Sequence, residues 1–176
     1  MPTAFLGIGS NLGDRWAHLR AALRGWRDAT GGRVIMVSPV YETEPHTVGE
    51  EAQPAYLNAV VSLEGPVTPE GLLHHAQALE TDQGRQRDGA RWAPRPLDID
   101  ILAVGPQTRD TDTLTVPHPR LAERRFVLRP WADIAPNFVV PPPFDASVET
   151  LLARCPDASR VEHAADGGTL RAGGSH

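Results

Sequence analysis

The chain contains no lysine; all 17 of its basic residues are arginine. A P-loop lysine, a kinase-type strand lysine and a Schiff-base lysine are therefore excluded, and any basic side chain that grips a phosphate does so through a guanidinium fork. Cysteine is nearly absent as well. The one thiol, Cys155, excludes an internal disulfide and a cysteine zinc cluster, and an idle thiol is expected. No run approaches the roughly 20 apolar residues needed to span a bilayer, and the opening MPTAFLGIGSNLG has no charged region ahead of a long apolar one. No membrane association and a cytoplasmic location are expected. The net charge of -5 argues against non-specific binding to nucleic acid or anionic lipid.

What is present suits a single core: 176 residues, 40% of them apolar. One domain is expected over residues 1–160, with a tail over 161–176. From Glu162 onward the apolar period is lost, so that tail is expected to be disordered. Thr3 to Ile8 reads as a first strand. Asp14 then offers an N-cap to a helix that buries Leu19, Ala22, Leu23 and Trp26 and stops at Gly31 and Gly32. Val34 to Tyr41 reads as a second strand, with Pro39 marking an edge or a bulge. Glu42 to Pro54 is polar and reads as a mobile loop, and Tyr56 to Leu63 as a third strand. Thr68 caps a second helix with Pro69 in its first turn, Leu72, Leu73, Ala76 and Leu79 on its apolar stripe, and Gly84 as its stop. A fourth strand covers Leu97 to Val104. A polar connection, short helical turns and a last helix led by Ser147 follow. Strand, helix, strand, strand, helix, strand is the ferredoxin-like split βαβ repeat, an α+β class with a mainly antiparallel sheet, helices packed on it and short C-terminal helices added.

The chemistry concentrates in residues 85–102, RQRDGARWAPRPLDIDIL. Arg85, Arg87, Arg91 and Arg95 lie in a loop broken by glycine and proline that runs into the fourth strand. Residues two apart in a strand share a face, so Asp98 and Asp100 project together while Leu97, Ile99 and Ile101 point the other way. Two carboxylates on one face repel unless a cation or hydrogen-bond donors compensate them. Mg²⁺ answers that need, being held by one or two carboxylates plus phosphate oxygens, and the arginine forks match a polyphosphate. An isolated D-x-D is more often structural than not; the arginine and proline context reverses those odds.

RWAPRPLDIDIL, together with GIGSNLGD, PAYLNAVV and VPHPRLAERRFVL, closely resembles the 6-hydroxymethyl-7,8-dihydropterin pyrophosphokinase family of folate biosynthesis, over roughly residues 3 to 155. The resemblance implies transfer of pyrophosphate from the co-substrate ATP to the hydroxymethyl group of a reduced pterin, with release of AMP and two Mg²⁺ ions. It implies Asp98 and Asp100 as metal ligands and Arg85 and Arg95 as the arginines on the transferring phosphates. Around ATP it implies Gln77, Glu80, Arg87, Arg91, Trp92, Ile101, Thr115, His118 and Arg124. Around the pterin it implies Thr43, Tyr56, Asn58, Trp92, Asp98 and Phe126. A monomer acting on these two small molecules is expected. Tyr56 and Phe126 suit stacking on a flat heterocycle, and the Asn58 amide suits hydrogen bonding on its edge. The loops 42–54 and 85–94 are expected to close over the substrates. Ala93 stands where the family usually has glycine, and Thr113 and Pro119 also depart from relatives. These departures bear on affinity more than on activity.

Other signals are weaker. GIGSNLG imitates the dinucleotide fingerprint, but its last glycine comes one residue late, and a tight strand-to-helix turn is the better reading. His74 and His75 lie about 100° apart around a helix and cannot both face one metal well. Two rivals remain: another Mg²⁺-dependent D-x-D transferase, and a ferredoxin-like ligand-binding domain without turnover.

Overall fold

In the computed structural model, which describes residues 3–29, 32–44, 55–84, 96–164 and 170, four helices flank one central sheet. Strand β1 (Thr3–Ser10) leads into helix α1 (Arg15–Ala29), where the Ala17 amide donates to Asp14 Oδ1 at 3.1 Å, the N-cap expected from the sequence. Strands β2 (Arg33–Val37) and β3 (Tyr41–Thr43) replace the single second strand. Both pair with the same neighbour, β4 (Tyr56–Glu64), and the break between them is stitched by Ser38. Its amide donates to the Val60 carbonyl at 2.9 Å, and its Oγ accepts from the Val60 amide at 2.8 Å. Pro39 has no amide to donate, which is why the ladder is interrupted here.

Helix α2 (Pro69–Asp82) starts as expected, with Thr68 Oγ1 accepting from the Gly71 amide at 3.1 Å. It ends before Gly84, whose φ of +96° an L side chain resists. Strand β5 (Asp98–Val104) follows, then a small hairpin of β6 (Arg109–Asp110) and β7 (Thr115–Val116), where a polar connection and then the first of the helical turns were expected. After a 3₁₀ turn at Leu121–Glu123 comes α3 (Arg125–Ile134), a full helix where only short turns were expected. Pro130 disguised it: the residue lowers helix propensity but costs this helix just one donor. A ribbon of β8 (Val139–Val140) and β9 (Ala146–Ser147) precedes α4 (Val148–Arg154), capped by Ser147 Oγ on the Thr150 amide.

The expected disordered tail is corrected at its start. Val161–His163 form β10, antiparallel to β3, and Leu170 is buried. Residues this polar give no strand signal of their own; the edge of β3 supplies it.

The main sheet runs β10-β3-β4-β1-β5 with β2 beside β4, antiparallel at every pairing, which is the ferredoxin-like α+β arrangement. One face carries Leu6, Ile8, Leu57, Ile99 and Ile101 under α1 and α2. The opposite face carries Phe5, Val60 and Leu102 under α3 and α4, around the fully buried Trp131. No helix of the described residues is long and apolar enough to cross a membrane.

Candidate active site

Strand register decides what shares the second face. Asp98 is opposite Gly9 and Asp100 opposite Gly7. On the other side of β1, Gly9 is opposite Asn58, which is opposite Tyr41, while Tyr56 is opposite Thr43. Directly opposed residues of an antiparallel pair project from the same face. The two carboxylates of β5 and the Asn58, Tyr56 and Thr43 side chains of β4 and β3 thus flank a strip of β1 made of glycine. Gly7 and Gly9 bring no side chains of their own, so a glycine floor runs between an acidic bank and an amide bank, and neighbours lean over it: the Leu102 side chain stands 3.6 Å from where a β-carbon on Gly7 would lie, and Asn58 covers Gly9. The strand-to-helix turn inferred from GIGSNLG holds for Gly13 alone, at φ +67°, whereas Gly7 and Gly9 sit inside β1. A glycine at alternate positions of a central strand was the signal for this floor.

On the amide bank, Asn58 Nδ2 donates to Thr43 Oγ1 at 2.7 Å, and both residues are buried. The amide leans across the floor so closely that a β-carbon on Gly9 would stand 2.6 Å from Asn58 Oδ1. With its NH₂ bound to Thr43, the carbonyl oxygen lies over the glycine floor. Tyr41 is buried beside them; its hydroxyl donates to Asp133 of α3, and burial, then that hydrogen bond, hold its pKa above the usual tyrosine value. Asp133 also accepts from Arg129 at 2.7 Å, so β3 and α3 are tied at this end.

On the acidic bank, Arg124, just ahead of α3, places NH1 3.4 Å from Asp100 Oδ2. Its guanidinium also stands 5.7 Å from the centre of the Phe126 ring. His118 is held against the outer edge of β5, its amide donating to the Leu102 carbonyl at 3.0 Å. The imidazole Nδ1 accepts from the Arg120 amide at 3.2 Å, which leaves the proton on Nε2, 3.6 Å from Asp100 Oδ1. Burial, then the positive charge of Arg124, push the His118 pKa down to about 4 against the opposing pull of Asp98. The His118–Asp100 contact is therefore not an ion pair at neutral pH, despite its separation, whereas Arg124 does bring positive charge to that carboxylate.

The donor set fits Mg²⁺. Asp98 and Asp100 give hard oxygen ligands on one face, and among the described residues no group of three or more His, Cys, Asp or Glu is arranged to hold a metal. A cation bound here keeps positions for phosphate or water oxygens, as Mg²⁺ requires and as a closed zinc site does not.

Gln77 and Glu80 lie on α2, Gln77 exposed and Glu80 buried. Thr115 lies on β7, which packs against β5. The Ile101 side chain is in the core beneath α1 and α2, on the sheet face opposite Asp98 and Asp100. Arg85, Arg87, Arg91, Trp92, Ala93 and Arg95 lie outside the described residues, as do residues 45–54 of the first expected loop and all of the second. Sequence reasoning passed over the contact of Arg124 and His118 with Asp100, and the part played by Tyr41.

Comparison with known proteins follows the same lines. The family described as 7,8-dihydro-6-hydroxymethylpterin-pyrophosphokinase (HPPK) matches residues 5–136. The chain is 40% identical over 152 residues to the 2-amino-4-hydroxy-6-hydroxymethyldihydropteridine pyrophosphokinase of Pseudomonas aeruginosa, covering 86% of this chain and 91% of that one. It is 42% identical over 131 residues to the protein of the same name from Bacillus subtilis, covering 74% and 77%. Among solved structures, an HPPK-DHPS in complex with substrates superimposes with a TM-score of 0.68 at 15% identity, a likeness of fold that covers 88% of this chain and 45% of that one. The chain thus spans a little under half the length of that two-part protein.

Proposed function

Since the chain belongs to the 7,8-dihydro-6-hydroxymethylpterin-pyrophosphokinase family and is a pyrophosphokinase by kind, we propose that it moves pyrophosphate from ATP to 6-hydroxymethyl-7,8-dihydropterin. The hydroxymethyl oxygen attacks the β-phosphorus, the bond from that phosphorus to the oxygen bridging it to the α-phosphate breaks, and AMP leaves. The hydroxyl proton passes to solvent. The products are AMP and the pterin diphosphate, and the place of the reaction is tetrahydrofolate synthesis, in a monomer of the cytoplasm.

The observation that carries this reading is the register that sets Asp98 and Asp100 on one side of the glycines of β1 and Asn58, Tyr56 and Thr43 on the other, all on one sheet face. A flat ring bound on this face needs hydrogen-bond partners along its edge and an aromatic surface against its plane. Its edge then meets Asn58, whose amide is held by Thr43, while Tyr56 and Phe126 offer aromatic faces. A ring with the wrong edge leaves a buried amide unpaired, at a cost of about 1–3 kcal/mol. The ring's substituent is directed toward Asp98 and Asp100, where the triphosphate needs to be.

Asp98 and Asp100 would hold two Mg²⁺ ions, which supply charge neutralisation for the triphosphate and lower the pKa of the attacking hydroxyl. Arg124 offsets the charge of Asp100. His118 is neutral, with one nitrogen protonated and the other accepting from a backbone amide, so it orients without acting as a base. Positioning and electrostatics then do most of the work, as in phosphoryl transfer generally. Arg85 and Arg95 are assigned the charge that develops on the leaving AMP, a role for which a planar two-pronged donor is suited.

Incubation with ATP, Mg²⁺ and the reduced pterin tests the proposal. AMP that appears only when the pterin is present is the expected result; ADP in its place, or AMP formed equally without the pterin, would overturn it.

A further inference from the structure

Beyond residue 136, where the family match ends, the chain meets the first turn of α3 and then pairs with β3. Asp157 Oδ2 accepts from the Arg125 amide at 3.2 Å. That amide belongs to the first residue of α3, one of the donors a helix leaves without an internal partner, and α3 has no side-chain cap of its own at Arg124. Asp157 thus caps α3 from another part of the chain, and its charge suits the positive end of the helix dipole. Its other oxygen, Oδ1, accepts from the Ser159 amide at 2.9 Å and the Ser159 hydroxyl at 2.6 Å, which fixes the carboxylate's direction. The turn it caps carries Arg124, in contact with Asp100, and Phe126, in contact with Arg124.

Four residues later the same segment becomes β10. Val161, Glu162 and His163 pair with Thr43, Glu42 and Tyr41, the Ala164 amide donates to the Val40 carbonyl at 3.0 Å, and the His163 ring lies 4.6 Å from the ring of Tyr41. β3 has three residues and follows a break in the ladder, so β4 alone would hold it as a short edge strand. β10 makes it an interior strand, and Thr43, which orients the Asn58 amide, is on it.

We infer that residues 157–164 are a brace that positions the two halves of the site: Asp157 sets the first turn of α3, and β10 sets β3 and through it Thr43 and Asn58. These are positioning residues; none touches a reacting atom. The inference rests on the proposed pyrophosphokinase reading for the identity of the ligands.

The test measures two affinities by titration calorimetry on the full chain, for α,β-methylene-ATP with Mg²⁺ and then for 6-hydroxymethylpterin with that nucleotide saturating. Asp157→Ala weakens both roughly five-fold, because the uncapped first turn no longer holds Arg124 and Phe126 in place, and Asp157→Asn, which keeps an acceptor, recovers part of it. Glu162→Pro, which interrupts β10, weakens the pterin alone. A simple loss of global stability would lower the melting temperature without this division. Affinities within two-fold of wild type in both variants, or a Glu162→Pro variant that loses nucleotide as much as pterin, would overturn the brace while leaving the enzyme reading intact. A wild-type chain that binds the nucleotide but no pterin would sink that reading and the brace together.

Discussion

The side-chain oxygen of Asn58 stands 2.6 Å from where a β-carbon on Gly9 would lie. Gly9→Ala must therefore push the amide off Thr43 or displace β4, and the second is resisted by the whole ladder from Thr3–Glu64 to Ser10–Leu57. The amide moves. Pterin affinity should fall at least ten-fold, about 1.4 kcal/mol, while the affinity for an ATP analogue stays within two-fold. Calorimetric titration with each ligand separates the two, and equal losses would show that the floor serves only the fold.

Removing either acid on the facing bank should act on turnover. Asp98→Ala and Asp100→Asn are expected to lower kcat by at least two orders of magnitude, a loss typical of removing a principal electrostatic group from a phosphoryl site. Asp100→Asn also leaves Arg124 without its carboxylate, so the variant should bind Mg²⁺ more weakly even with no substrate present. Manganese titration followed by electron paramagnetic resonance reads that directly, and near-normal turnover in Asp98→Ala would refute its part in metal binding.

Protonating His118 should destabilise the metal-free protein. Its folded pKa is about 4 against an ordinary 6.5, so the unfolded chain takes up the proton first as pH falls. Stability from this group is complete above about pH 6.5 and drains away between there and about pH 4, by up to about 3 kcal/mol. The neighbours oppose one another: Arg124 and Arg120 resist the proton, while Asp98 and the nearby Asp100 favour it. Urea unfolding at pH 7.5 and 5 should show a smaller loss in His118→Gln than in wild type, once the background from other groups is subtracted.

Gly25 lies in α1 where Leu79 of α2 packs against it, and a β-carbon there would meet Leu79 Cδ2 at 2.2 Å. Alanine gains about 1 kcal/mol of helix propensity over glycine, but overpacking against a buried leucine costs about 1–3 kcal/mol. Gly25→Ala should come out destabilising by about 1 kcal/mol. A double-mutant cycle with Leu79→Ala checks it: the clash disappears in the pair, and only the cavity left by the leucine remains.

The ferredoxin-like order was legible because each long element carried its own signal: Asp14 and Thr68 as caps, the apolar stripe of α1, and the alternation of Asp98 and Asp100 with Ile99 and Ile101. β10 was not, because Val161–His163 has no local preference and exists through pairing with residues far away in the chain. α3 was hidden by Pro130. In the site, the two acids could be placed from a period of two, yet their placement across Gly9 from Asn58 could not. It is a property of three strands in register, and only the register brings Gly9 between Asp98 and Asn58. The contact of Arg124 with Asp100 likewise depends on where α3 docks.

The pairing of β10 with β3 joins residues roughly 120 positions apart, and this sets an order of events during folding. β3 can pair early with β4, its near neighbour in the chain, and β1 with β4 and β5 after it, while β10 joins from the far end of the chain. β10 should acquire its protection from hydrogen exchange last among the strands of the main sheet, so a refolding chain would recover its compact form before it recovers the ability to select its ring.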